Sequence, residues 1–374
     1  MTKSEQPWGP FAAFLWPALT FAAAGEASLR IARELTGMAD AASDRQEPEL
    51  EWTTPHRVAL ELDSVQLRDF STDASGEATL ICAPYALHRA TIVDFAPAHS
   101  LVETLRNGRL TRLFVADWRS ATPAMRDFSI DTYLADLNVL VDQLGAPVNL
   151  IGLCQGGWLS LMYAARFPRK VRKLVLAGAP IDIAAGRSSL SQAVATTPPE
   201  LFQKLVTLGE GRVLGRQRFE AWCPAAPDAE GLRDILQSPE TTDVESFAHL
   251  RSRFDVWHRA VLDLPGRYYL QAVEQLFRAN ELAAGRFIAL GQRLDLSAVR
   301  TPIHLLVAQR DELVAPEQAL ATDRLVGTPR KHRTTSVVPC VHLSLFMGRE
   351  VLGHTWPRIA AWLTHETTSV RSAA

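Results

Sequence analysis

Leu150-Ile151-Gly152-Leu153-Cys154-Gln155-Gly156-Gly157 decides how this chain is read: an apolar run, then glycine, a spacer, a nucleophile, a spacer and glycine, opening a helix. A nucleophile held on so sharp a strand-to-helix turn needs glycine two residues to either side, because a side chain there would strike the neighbouring strand or helix. Gly152 and Gly156 meet that need. The flanks agree, since Pro147-Val-Asn-Leu-Ile151 reads as a short buried strand and Trp158-Leu-Ser-Leu-Met-Tyr-Ala-Ala165 as a helix of apolar and small residues. Cysteine stands at 154 where serine is usual in such a turn; a buried structural thiol is the competing reading.

Around this turn, buried strands alternate with helical patterns. Arg57 to Leu62 and Val65 to Phe70 alternate in polarity and read as an opening antiparallel hairpin. Ala78 to Ala83, Leu110 to Ala116, Val148 to Gly152, Val171 to Ala177, Ile303 to Ala308 and Thr335 to Val338 follow as buried strands. The alternation predicts a mostly parallel central sheet with helices on both faces and right-handed crossovers, and the elbow on it gives the expected class, an α/β-hydrolase fold. Between Pro180 and Asp295 no strand is expected. That segment reads as helices punctuated at Pro198-Pro199, Pro224 to Pro227 and Pro265-Gly266, a cap insertion that shapes the substrate channel. The expected division is an N-terminal helical or extended segment (1–50), a core (51–183 and 291–366), a helical cap (184–290) and a flexible tail (367–374).

In such sheets the nucleophile, acid and histidine follow one another in chain order, with the acid and histidine on loops after the later strands. Asp311, in the loop Gln309 to Pro316, is placed to fix an imidazole tautomer, with Glu312 its close competitor and Asp182 a further acid position that otherwise caps a loop. Of the ten histidines, only His342 lies on the loop directly after the last strand. His304 lies within a strand as a packing residue, while His249, His258, His332, His354 and His365 read as surface or helix residues. Asp117-Trp118 reads first as structural. An oxyanion hole would take the backbone N–H of Gln155 and one from the loop Ala83 to His88, supplied by Tyr85 or Ala86. His88 and Trp158 are candidate substrate contacts, with loop stabilisation the equal alternative for His88.

The positive end of the elbow helix and a nearby histidine both favour the thiolate of Cys154. If the substrate is a thioester such as an acyl-CoA, attack by cysteine exchanges one thioester for another and keeps the acyl group activated for a hydroxyl acceptor. Serine would spend that activation on an oxoester. Cysteine therefore favours acyl transfer over plain ester hydrolysis, although water can also attack such an intermediate.

With 374 residues, 47% hydrophobic content and a net charge of -2, the chain suits one large domain with an insertion or two modest ones, and not nucleic acid as main partner. Four cysteines, at 82, 154, 223 and 340, lack metal-ligand spacing and any dense disulfide pattern, so a reducing cytoplasm is the expected compartment. No metal, nucleotide or flavin motif appears. Trp8 to Gly25 carries no charge but is broken by Pro10 and Pro17; it reads as a helix packed on its own domain, with a surface-touching segment or a membrane span as alternatives.

From about Ala78 to Leu363 the chain resembles polyhydroxyalkanoate synthases, the shorter kind that works with a second subunit. The likeness rests on Tyr85-Ala-Leu-His-Arg89 through Asp94 and Ser100, Val115-Ala-Asp-Trp118, Asp131-Thr-Tyr-Leu134 and Gly152-Leu-Cys-Gln-Gly-Gly157. It continues in Leu161-Met-Tyr163, Pro168 with Val171, Asp263-Leu-Pro-Gly266, and Asp311 with Leu313-Val314 and Pro316. The resemblance implies that Cys154 holds the growing hydroxyacyl chain, that His342 activates the thiol and the incoming 3-hydroxyl, and that Asp311 supports His342. It implies no bound cofactor beyond coenzyme A as part of the substrate, a second synthase subunit or a homodimer as partner, and a cytoplasmic place at a polymer granule.

Two features depart from that pattern. Cys340-Val341-His342 stands where synthases carry Gly-Gly-His or Gly-His, and His88-Arg89 where they carry Asn-Arg. Intracellular polyhydroxyalkanoate depolymerases are similar at Asp263-Leu-Pro, Tyr269-Leu270 and His88 with Ala90-Thr91, but carry proline where this chain has Gly156. Depolymerase or thioesterase is thus the alternative activity. A non-catalytic granule protein is a third reading, against which the intact Cys154, Asp311 and His342 set argues.

Overall fold

In the computed structural model, residues 50–215, 226–239 and 241–365 are described. Eight strands make one sheet: β1 (Arg57–Glu61), β2 (Val65–Asp69), β3 (Thr79–Cys82), β4 (Leu113–Trp118), β5 (Val148–Leu153), β6 (Val171–Ala177), β7 (Ile303–Ala308) and β8 (Arg333–Val338). They lie in the order β1-β2-β4-β3-β5-β6-β7-β8. The β1–β2 hairpin is antiparallel and meets β4 antiparallel, whereas every later pairing is parallel. Each strand falls where its apolar run predicts, within a few residues. β3, β5 and β7 are buried at every position, which is why their sequences are unbroken apolar runs and do not alternate.

The register brings the strand ends level. Cys82 pairs with Gly152, Gly152 with Leu176, Ala177 with Leu306, and Ala308 with Val338. The loops after β3, β5, β6, β7 and β8 therefore emerge along one edge, where open parallel sheets place their ligands. On the faces lie α1 (Leu101–Asn107), α2 (Ile130–Leu144) and α3 (Gln155–Arg166), the last packed on β5 and β6. The α2 helix starts at Ser129, whose hydroxyl accepts from Thr132 N–H, and stops at Gly145, where φ is +78°.

Between β6 and β7 come α4 (Ser189–Thr196), α5 (Pro199–Leu208), α6 (Ala229–Leu236), α7 (Val244–Arg259) and α8 (Gly266–Gln271). The expectation that this segment holds no strand is corrected. Arg212–Val213 pairs antiparallel with Leu264–Pro265, and Ile288–Ala289 with Gln292–Arg293. Two-residue strands carry no readable period, so their pairing, distant for Arg212–Val213 and local for Ile288–Ala289, is what reveals them. After β8 the described chain closes with α9 (Trp356–Thr364). Among the described residues no helix is long and apolar enough to cross a membrane; the Trp8 to Gly25 segment, Cys223 and the 367–374 tail lie outside them.

Candidate active site

Cys154 sits between β5 and α3 with φ 49° and ψ -115°, a conformation few non-glycine residues adopt. Its N–H donates to Ala177 O at 2.8 Å and its carbonyl accepts from Gly157 N–H at 2.9 Å, so both sides of the turn are pinned. A Cβ on Gly156 would stand 2.1 Å from Cys82 O, and one on Gly152 would stand 2.6 Å from Gly156 O. The glycines are there because backbone passes that close on both flanks. Such a strained, over-determined turn is what a presented nucleophile requires.

Asp311 is aimed by its own loop. Oδ1 accepts from Leu313 N–H at 3.0 Å and Val314 N–H at 2.9 Å, leaving Oδ2 for His342 Nδ1 at 2.6 Å. Both side chains are buried, at 1% and 3% exposure. Glu312, the competing acid, is exposed. Asp182 is occupied elsewhere, by Asn280 Nδ2 at 2.8 Å, by Ala184 N–H and by Arg324. The two loops are laced together, since Gln309 N–H reaches Val338 O at 2.7 Å and Arg310 N–H reaches Cys340 O at 3.0 Å. Gly178, at φ +57°, faces the imidazole, and a Cβ there would lie 2.9 Å from His342 Cε1.

Burial alone would lower the pKa of His342, but the Asp311 carboxylate and then the Cys154 thiol act the other way, and the net effect is a rise to about 10. Its Nε2 is buried and makes no hydrogen bond of ordinary geometry among the described residues. The Cys154 thiol beside it is nevertheless among the groups that act on it, as in a pair that tightens only around substrate. The other two described cysteines are unlike this one. Burial pushes the Cys82 thiol up to about 12, and burial with the nearby Asp311 does the same to Cys340, so both stay protonated and unreactive.

Gln155 opens α3 directly after the nucleophile, with its backbone N–H at the positive end of the helix. Tyr85 and Ala86 lie buried in the loop after β3, the strand whose Cys82 O passes the elbow at Gly156. His88 is buried too, its ring stacked on Trp257 at 4.4 Å between centroids and its Nε2 3.3 Å from His258 Nδ1. His258, expected on the surface or a helix, is on α7 but faces inward. Trp158 is likewise core, lying against Tyr268 at 6.2 Å, and its Nε1 has no partner among the described residues. Asp117 accepts from Arg68 Nε at 2.6 Å and Trp118 Nε1 donates to Ala83 O at 2.9 Å, both structural ties.

An aromatic group behind this site was not singled out from sequence. Tyr85 meets Tyr133 at 4.8 Å and Tyr268 at 5.2 Å, and the Tyr268 hydroxyl donates to Tyr85 O at 3.4 Å. Burial first, then Tyr85, Cys82 and Cys154, hold the Tyr268 phenol well above its ordinary pKa, so it remains a donor. The available signal was the runs Asp131 to Leu134 and Asp263 to Gly266, within or beside which these tyrosines fall. The aspartates themselves are structural: Asp131 Oδ1 accepts from Leu290 N–H and Asp263 Oδ1 from Gly215 N–H, each at 2.8 Å.

Comparison with known proteins agrees with this geometry. The chain is 26% identical to the poly(3-hydroxyalkanoate) polymerase subunit PhaC of Haloferax mediterranei over 90% of this chain and 70% of that one. It is 28% identical to the corresponding subunit of Synechocystis sp., covering 83% of this chain and 84% of that one. Among solved structures, a monoacylglycerol lipase of Paleococcus ferrophilus aligns with a TM-score of 0.51 at 17% identity, covering 80% of this chain and 98% of that one; this likeness speaks to the fold alone. Residues 112–348, more than half of the chain, match the family described as alpha/beta hydrolase fold. With its sheet order, its elbow and that match, the chain belongs to the α/β hydrolase fold family.

Proposed function

We propose that this chain is a poly(3-hydroxyalkanoate) polymerase that builds polyester from 3-hydroxyacyl-CoA through an acyl-enzyme on Cys154. The observation that carries the reading is a cysteine on the strained elbow beside the buried His342–Asp311 pair; the polymerase subunits that align along most of the chain supply the substrate class. His342, whose pKa the Asp311 carboxylate raises, stands beside the thiol as the group that takes its proton. The Cys154 sulfur attacks the thioester carbonyl, and the resulting oxyanion rests on the Gln155 N–H and a donor from the Tyr85–Ala86 stretch. Collapse expels the coenzyme A thiolate, which leaves as the thiol with the His342 proton. His342 then takes the proton of an incoming 3-hydroxyl as that oxygen attacks the acyl carbonyl, forming the ester and returning the cysteine.

The elbow departs from the depolymerase pattern at Gly156, where the packing leaves room for glycine alone. With Cys82 O 2.1 Å from any Cβ at Gly156, the proline of the depolymerase pattern would force β3 away. In this reading residues 51–183 and 291–366 form the catalytic core and 184–290 the cap, no cofactor is bound beyond substrate coenzyme A, and the enzyme works in the cytoplasm at a granule surface with a second subunit or a second copy. The test is incubation of wild type and Cys154→Ala with 3-hydroxybutyryl-CoA, following coenzyme A release and the acyl product. Release with chain growth, absent in the variant, is expected. Release with only free acid would make the protein a thioesterase, and no release, with hydrolysis of added polymer, a depolymerase.

A further inference from the structure

The loop after β3 is held from outside, residue after residue, by one short stretch of the insertion. Tyr268 donates its hydroxyl to Tyr85 O at 3.4 Å, and Tyr85 donates its own to Asp263 O at 3.3 Å. Leu262 N–H reaches Leu87 O at 2.6 Å, and His88 forms an antiparallel bridge with Val261. The His88 ring lies on Trp257 and against His258, and the Trp257 indole N–H reaches Arg89 O at 3.2 Å. A trans peptide points its N–H opposite to its carbonyl, so fixing Tyr85 O also fixes the direction of the Ala86 N–H.

We propose that Trp257–Tyr268 is the frame that positions the oxyanion loop, with Trp257, His258 and Tyr268 as positioning residues for acyl transfer. The inference rests on the reading of Cys154 as the acylated nucleophile, and two rates measured on the full chain separate it from that reading. Alkylation of Cys154 by iodoacetamide is a displacement at saturated carbon in which iodide leaves and no oxyanion forms. Acylation by 3-hydroxybutyryl-CoA places charge on a carbonyl oxygen. Loss of a whole oxyanion donor costs about 10²–10³ in rate, and a tilted one less.

Tyr268→Phe keeps the ring packing and removes one donor, while Trp257→Phe removes the indole donor and leaves a smaller ring under His88. Acylation should fall about tenfold in each while alkylation stays within about twofold of wild type. His258→Asn, which can set a donor or acceptor near the Nδ1 position, should retain most of the acylation rate that His258→Leu loses. A parallel fall of both rates in the two phenylalanine variants would overturn the proposal, because it would mean a general disturbance of the elbow; so would no change in either rate. A wild type that is alkylated at Cys154 but never acylated there would overturn the underlying reading, and the proposal with it.

Discussion

The strand-end edge and the insertion above it are built in opposite ways. At the edge, the turn carrying Cys154 and the loop carrying Asp311 are shaped by neighbours close in sequence. Cys154 is bent by its own flanking glycines, Asp311 is aimed by the N–H groups of Leu313 and Val314, and parallel register does the rest. In the insertion the contacts that matter span long loops: His88 meets His258 and Tyr85 meets Tyr268 across more than 160 residues of chain. Local chemistry makes the edge legible in the sequence, while the insertion's contacts come from distant packing that no local signal announces.

The sharpest way to break this comparison is at the nucleophile. Cys154→Ala should lower acyl transfer by at least about 10⁴-fold with little loss of stability, since one sulfur is removed from a turn held by backbone bonds. Single-turnover coenzyme A release against urea unfolding checks both halves. Next comes Asp311→Asn, expected to cost about 10³–10⁴ in acylation, because the amide no longer stabilises an imidazolium. The same variant tests the pH logic. A histidine whose folded pKa is raised to about 10 stabilises the fold fully below its unfolded value of about 6.5, and that stabilisation fades as pH rises between the two. Wild type should therefore lose stability from pH 7 to 10, and Asp311→Asn should lose distinctly less over that window.

A smaller effect is expected where shape alone is changed. Gly156→Ala forces a Cβ against Cys82 O and should cost about 1–3 kcal/mol in urea unfolding as well as activity. The smallest belongs to Cys340→Ala. Its thiol is kept protonated by burial and by Asp311, so acylation should stay within about threefold of wild type, the cost being a small cavity of about 1 kcal/mol. A large loss of rate at normal stability would show that the Cys340-Val341-His342 departure has a chemical role.

What could be read from the sequence follows the same division. The elbow, the order of nucleophile, acid and histidine, and all eight strands of the sheet were legible because glycine placement, apolar runs and the loop after each strand are local signals. Asp311 was preferred to Glu312 from its place in the loop, and the structure adds that Asp311 turns inward while Glu312 is exposed. His258 was expected on the surface or on a helix; it lies on a helix, and only its inward facing was not legible. A polar ring on an amphipathic helix looks solvated until its partner, His88, arrives from another part of the chain. The two-residue strands at Arg212–Val213 and Leu264–Pro265 exist only through each other, and neither has enough length to show a period.

The central claim is that Cys154 carries the acyl group. It is tested most directly by quenching the full chain with acid seconds after mixing with 3-hydroxybutyryl-CoA and mapping the adduct by peptide mass spectrometry. The account predicts a hydroxyacyl thioester on the peptide containing Cys154, lengthening by whole hydroxyacyl units with time and missing from Cys154→Ala. Turnover of the substrate with no adduct at Cys154, or with one on another residue, would contradict it.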